Sequence, residues 1–99
     1  MKLIFEWDNK KAQVNLRKHK VNFEEAKTLF KDPLLLTYPD IYHSNTEERY
    51  ISIGNSARDR NLLVVHEDRK ETEYTLTIRI ISCRKTTPLE QRRYEVDNE

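Results

Sequence analysis

A chain of 99 residues with one glycine, Gly54, and three prolines has few places where it can turn sharply at low conformational cost. Its loops must be sought in clusters of Asn, Asp, Ser and charge. The same scarcity excludes a glycine-rich phosphate cradle, and with it Walker-type nucleotide hydrolysis. The length fits one small domain, 1–99. One cysteine, Cys83, excludes an intrachain disulfide framework and a multi-cysteine zinc module, and suits a reducing compartment. Apolar runs such as 62–65 are strand-sized, too short to cross a membrane. The first residues carry charge and no small-residue cleavage site, unlike a signal peptide. The expectation is a cytoplasmic protein that does not act at a membrane.

Residues 3–7, aromatic and branched, predict a first strand. Asp8 is placed to cap a helix to about residue 20, with Ala12 and Leu16 as a thin apolar stripe among Lys10, Lys11, Arg17 and Lys18. Asn22 and Glu25 have capping-box spacing ahead of the apolar face Phe23, Ala26, Leu29 and Phe30, and Asp32-Pro33 stops that helix. Residues 34–37 read as a strand and 38–46 as a loop. Strands follow at 49–53, 61–66 and 74–83, separated by 54–57 and by the charged stretch 67–73. Short connections favour an antiparallel meander. Thr87, Pro88 and Glu90 give a last helix both an N-cap and a first-turn proline. The order is β-α-α-β-β-β-β-α, an α+β fold with helices on a mainly antiparallel sheet.

The net charge of +1 excludes a uniformly basic, histone-like protein but not a local patch. Across residues 79–93 the cations Arg79, Arg84, Lys85, Arg92 and Arg93 face only one acid, Glu90. Alternation puts Leu76, Ile78 and Ile80 on one face of the last strand, to be buried by helices, and Arg79 with Thr75, Thr77 and Ile81 on the other. Arg84 and Lys85 lie where the strand ends, and Tyr94 two turns into the helix. Guanidinium groups beside a phenol suit a phosphodiester, since Arg grips phosphate oxygens through two donors. Arg92 and Arg93 read as solvated, and Cys83 as structural.

His66 shares a strand face with Leu62 and Val64, where a buried, hydrogen-bonded ring is the ordinary role. His19 suits the negative end of the first helix. His43 has no assignable part. No His, Cys or acid spacing asks for a metal.

In order along the chain stand Phe5-Glu6-Trp7-Asp8, Lys18-His19, Phe23-Glu24-Glu25-Ala26 and Phe30-Lys31-Asp32-Pro33. Glu48-Arg49-Tyr50, Ile53-Gly54, Leu63-Val64-Val65-His66 and Arg69 come next. Arg79-Ile80-Ile81-Ser82-Cys83-Arg84-Lys85 and Glu90 with Tyr94 close the series. This set resembles the BrnT family of toxins from type II toxin–antitoxin systems. The resemblance implies a RelE-like fold and a ribonuclease that blocks translation by cutting RNA. It also implies a cognate BrnA-like antitoxin with a ribbon-helix-helix DNA-binding domain, which would provide the only contact with operator DNA.

Cutting RNA without a metal or other cofactor needs a base for the 2′-OH, cations for the charge growing on phosphorus and an acid for the departing 5′ oxygen. On the residues and the resemblance together, Arg79, Arg84, Tyr94 and His66 are the catalytic candidates. Arg49, Lys85, Arg58, Arg60 and Arg69 are candidates for holding RNA. The alternatives are a non-catalytic RNA-binding module, an antitoxin-binding module, or a ParE-type toxin acting on gyrase, because a fold does not fix a function.

Overall fold

The computed structural model describes residues 1–42 and 48–98. In chain order the elements are β1 (Lys2–Glu6), α1 (Asn9–His19), α2 (Phe23–Thr28), β2 (Leu36–Pro39), β3 (Glu48–Asn55), β4 (Asn61–Thr72), β5 (Thr75–Lys85) and α3 (Pro88–Asp97). A short 3-10 turn, Leu29–Lys31, follows α2. The strands form one sheet in the order β1-β5-β4-β3-β2. β2 to β5 are an antiparallel meander, and β1 joins β5 in parallel.

Local chemistry sets the helix boundaries. Asp8 Oδ1 accepts the Lys10 and Lys11 amides at 2.8 and 3.1 Å, and Lys20 closes α1 in the left-handed region at φ 60°. Asn22 accepts the Glu25 amide at 2.7 Å, but only this half of the expected capping box forms. The Glu25 carboxylate instead crosses to Ser56 and Arg60. Thr87 and Glu90 complete their box in both directions.

Several sequence boundaries shift, among them the ends of β3 at Asn55 rather than 53 and of β5 at Lys85 rather than 83. The charged stretch 67–73 is strand rather than loop: β4 runs to Thr72, and only Glu73 and Tyr74 separate it from β5. Within that stretch Arg69 donates to Glu71 two residues on, Thr77 of β5 donates to the same carboxylate, and Arg69 reaches Glu6 of β1, so these charged residues are held in the hairpin instead of ending it. The next strand begins at Leu36 rather than 34, because the Asp32 backbone and side chain draw residues 32–35 into a turn. That strand also runs into the expected 38–46 loop as far as Pro39. His43 and the remainder of 43–47 lie outside the described residues.

Each sheet face carries its own core. Val21, Phe23, Ala26 and Leu29 pack on Leu62, Val64, Ile80 and Cys83 beneath α1 and α2. Tyr94 of α3 packs on Ile53 and Leu63 on the opposite face. Gly54 is needed for close approach: a Cβ there would lie 2.8 Å from Leu35 Cδ1 and 3.2 Å from Asp32 Oδ2. α1 is fastened to β5 beyond the end of β1. The Asn15 side-chain amide donates to Cys83 O at 2.8 Å and its oxygen accepts the Cys83 amide at 3.1 Å, in place of a strand neighbour.

One irregularity decides where the β5 arginines point. Val65 pairs with Ser82 and His66 with Ile80, so Ile81 is an extra residue on β5. Simple alternation from Ile80 would send Cys83 to the α3 face and Arg84 under α1. The bulge reverses both, placing Cys83 in the α1–α2 core and Arg84 on the same face as Arg79.

Candidate functional site

The α3 face of the sheet is half covered. Where α3 ends its reach, β1, β5 and β4 line an open cleft of about 520 Å³, with Glu6, Glu67, Arg69, Thr77 and Arg79 in its wall. Strand register builds a row across it: Glu6 stands opposite Arg79, Arg79 opposite Glu67, and Glu67 opposite Arg49. With strands about 4.8 Å apart, four alternating charges span about 15 Å. Arg79 Nη1 donates to Glu6 Oε2 at 2.8 Å, and Arg69 Nη2 donates to Glu6 Oε1 at 3.1 Å. Arg69 also gives its Nε–H to Glu71 at 2.7 Å, and Thr77 donates to the same oxygen. This ion pair and hydrogen bond hold the Glu71 carboxyl below its usual range, with the Arg69 contact the larger cause. Arg49 pairs with Asp40 at 3.6 Å.

Arg79 lines the cleft, is 38% exposed and donates one N–H to Glu6, so its guanidinium has further donors for a ligand. A carboxylate lying between two guanidinium groups, in a concave and solvent-filled site, can accept a proton from a hydroxyl while its neighbours hold a phosphate. Glu6 and Glu67 were not among the sequence candidates. Their signal is the register, which sequence alternation alone does not supply.

The four catalytic candidates do not form one constellation. Only Arg79 lies in the cleft. Arg84 is about five residues along β5 and is committed to Glu90 through both Nη atoms, at 2.8 and 2.9 Å. That pairing drives the Glu90 carboxyl down to about 2. Tyr94 is 6% exposed and donates its hydroxyl to Asp32 at 2.7 Å. Burial, then the Asp32 contact, push its phenol up to about 12, so it joins α3 to the turn after α2 and is poorly placed to give a proton to a substrate. His66 is 1% exposed on the opposite face, against Phe30 and Tyr50.

His66 belongs to a different arrangement. Thr37 Oγ1, Ser52 Oγ, His66 Nε2, His66 Nδ1 and Asp68 Oδ1 form a chain of contacts at 2.7, 2.8 and 2.6 Å across β2, β3 and β4. Hydroxyl, imidazole and carboxylate stand in the order of a hydrolase triad. Ser52 has no exposure at all, so no scissile bond can reach it. The chain satisfies buried polar groups and ties three strands together.

The RNA-holding candidates divide likewise. Arg69 lines the cleft, and Arg49 ends its row. Arg60 is bound to Glu25 and to the Lys20 carbonyl, and Arg58 pairs with Glu25 at 3.6 Å, so together they pin the 56–60 turn to α2. The Arg60 contact, the largest influence, holds the Glu25 carboxyl below its usual range. Lys85 is exposed at the end of β5, away from the cleft wall. Burial raises the Cys83 thiol to about 12, consistent with a structural role. Among the described residues no group of three or more His, Cys, Asp or Glu could hold a metal ion. No helix among them is long and apolar enough to cross a membrane.

A half-covered, mainly antiparallel sheet bearing a charge-lined cleft defines a small α+β protein. Its backbone is similar to the crystal structure of the Brucella abortus ribonuclease toxin BrnT, with a TM-score of 0.62 over 88% of this chain and 99% of that one. At 19% identity that likeness speaks for the fold. The family model for the ribonuclease toxin BrnT of type II toxin–antitoxin systems matches residues 7–90, and the chain belongs to that family. Comparison with curated proteins finds no significant match. Membership implies an RNA substrate and an antitoxin partner.

Proposed function

We propose that residues 1–99 act as one metal-independent endoribonuclease domain whose working site is the open cleft, and that the observation carrying this is the row Glu6–Arg79–Glu67–Arg49. Arg79 holds the non-bridging oxygens of the scissile phosphate, with Arg69 and Arg49 at either side. Glu67 takes the proton from the ribose 2′-OH, whose oxygen then attacks phosphorus. The bond to the 5′ oxygen breaks, and that oxygen takes a proton from water in the open cleft. The products are a 2′,3′-cyclic phosphate and a 5′-hydroxyl end. Arg84, Tyr94 and His66 serve this chemistry only by keeping the sheet and α3 in place. Family membership supports the wider setting: a cytoplasmic toxin silenced by a BrnA-like antitoxin, whose ribbon-helix-helix domain makes any contact with operator DNA.

The test is cleavage of a defined RNA in excess EDTA, beside the same strand carrying one 2′-deoxyribose at the cut position. The expected result is undiminished cutting of RNA, none at the deoxy position, and a cyclic phosphate terminus. Loss of activity in EDTA restored by a divalent ion, or cutting at the deoxy position, overturns the mechanism.

A further inference from the structure

The cleft has the groups for cleavage but not the charge for affinity. On the α3 face its wall sets two acids, Glu6 and Glu67, against two cations, Arg69 and Arg79, while the Asp68 carboxylate at its margin is turned to His66. A polyanion gains little from such a balance, since affinity for nucleic acid comes chiefly from cations that displace counterions from phosphates. A ribonuclease built this way needs a cationic surface elsewhere.

α1 has that character. Between Asp8 and Glu24 the sequence has no acid and five Lys or Arg residues: Lys10, Lys11, Arg17, Lys18 and Lys20. A groove of about 330 Å³ runs between α1 and the part of β5 that β1 leaves uncovered. Lys10, Lys11, Lys18 and His19 line one side, and Ile81 and Ser82 the other. No ion pair engages Lys10, Lys11 or Lys18 among the described residues, whereas Arg58, Arg60, Arg69, Arg79 and Arg84 each have a glutamate. The groove is rigid at its base, because Asn15 fastens α1 to the Cys83 backbone. It also adjoins the cleft: Asp8, at the head of α1, lies within electrostatic reach of both Lys11 and Arg79.

We propose that the Lys10–Lys11–Lys18 groove is a second RNA surface that grips backbone phosphates of the strand leading away from the scissile linkage, without reading sequence. This rests on the cleft being the cleavage site. It divides labour: the cleft supplies rate, and α1 supplies affinity.

The experiment uses full-length protein and a fluorescent single-stranded oligonucleotide with 2′-O-methyl ribose throughout, which binds but cannot be cut by the 2′-OH route. Its dissociation constant is measured against salt for the wild type, for K10Q/K11Q/K18Q and for R79A. Three lost phosphate contacts should flatten the slope of log K against log salt by about 2, at ~0.7 per contact on a single strand. On cleavable RNA the triple variant should show a raised KM with kcat retained, and a dinucleotide too short to reach α1 should be cut at the wild-type rate. R79A should lose cleavage and keep most of the slope. An unchanged slope in a folded triple variant overturns the proposal. So does normal RNA binding with lost neutralisation by the antitoxin, which would make the groove a protein-docking surface. A wild type that binds the oligonucleotide salt-dependently through these lysines yet cuts no RNA would sink the cleavage mechanism and leave the groove standing.

Discussion

Arg79 and Arg84 lie on one strand and one sheet face, each 38% exposed and each hydrogen-bonded to one glutamate, yet they are committed to different degrees. Arg84 spends both Nη atoms on Glu90, a residue already fixed by the capping box of α3. Arg79 touches Glu6 with one N–H at the lip of a cleft. Residue type and exposure are the same; the number of donors already spent differs. A fork closed on a carboxylate is part of the scaffold, whereas one with donors to spare is available to a ligand.

That contrast is open to direct attack. R79A should reduce kcat/KM for RNA by about 10²–10³, the usual cost of removing one preorganised charge from a transition state, with little loss of thermal stability. R84A should do the reverse, lowering the melting temperature while cleavage persists under folding conditions. If R84A abolishes cleavage by a fully folded protein, the division between the two halves of the face is wrong.

His66 lies under the other face, and H66A should cost about 2–4 kcal/mol in urea unfolding, because it leaves Ser52 and Asp68 without the ring that joins them. G54A should cost about 1–3 kcal/mol, since the new methyl meets Leu35 and the Asp32 carboxylate. Y94F should cost only about 1 kcal/mol and leave the pH–rate profile unmoved. A shifted alkaline limb in Y94F would return the phenol to the catalytic set.

The smallest effect is a pH dependence. The Glu90 carboxyl sits at about 2 when folded, against 4.5 ordinarily, so its pairing with Arg84 stabilises the protein fully above about pH 5. That contribution fades as pH falls through the interval toward 2. E90Q keeps a capping side chain but loses the charge, so its urea midpoint should fall less between pH 5 and 3 than the wild-type midpoint.

The sequence carried the element order, the N-cap residue of each α-helix and the separation of Arg79 from the apolar face of β5. Those depend on contacts within a few residues, such as Asp8 with Lys10 or Thr87 with Glu90. The candidate site was less legible. Glu6 meets Arg79 only because β1 pairs with β5, a relation 73 residues apart in the chain. The Ile81 bulge re-aims Arg84 through a misregister with β4 that alternation on β5 cannot reveal. Tyr94 read as a candidate proton donor because nothing near it in sequence announces Asp32. The charged run 67–73 reads as a loop from sequence because two of its partners, the Glu6 carboxylate and the Thr77 hydroxyl, lie on other strands.

The parallel seat of β1 beside β5 also bears on how the molecule comes into being. The first strand made by the ribosome has no neighbour until residues 75–79, the last third of the chain, have emerged. Glu6 and Arg79 meet only then, so a chain that ends before residue 79 holds neither the β1 edge of the sheet nor that wall of the cleft. On the proposed mechanism, a chain still short of residue 79 has no cleavage site to restrain.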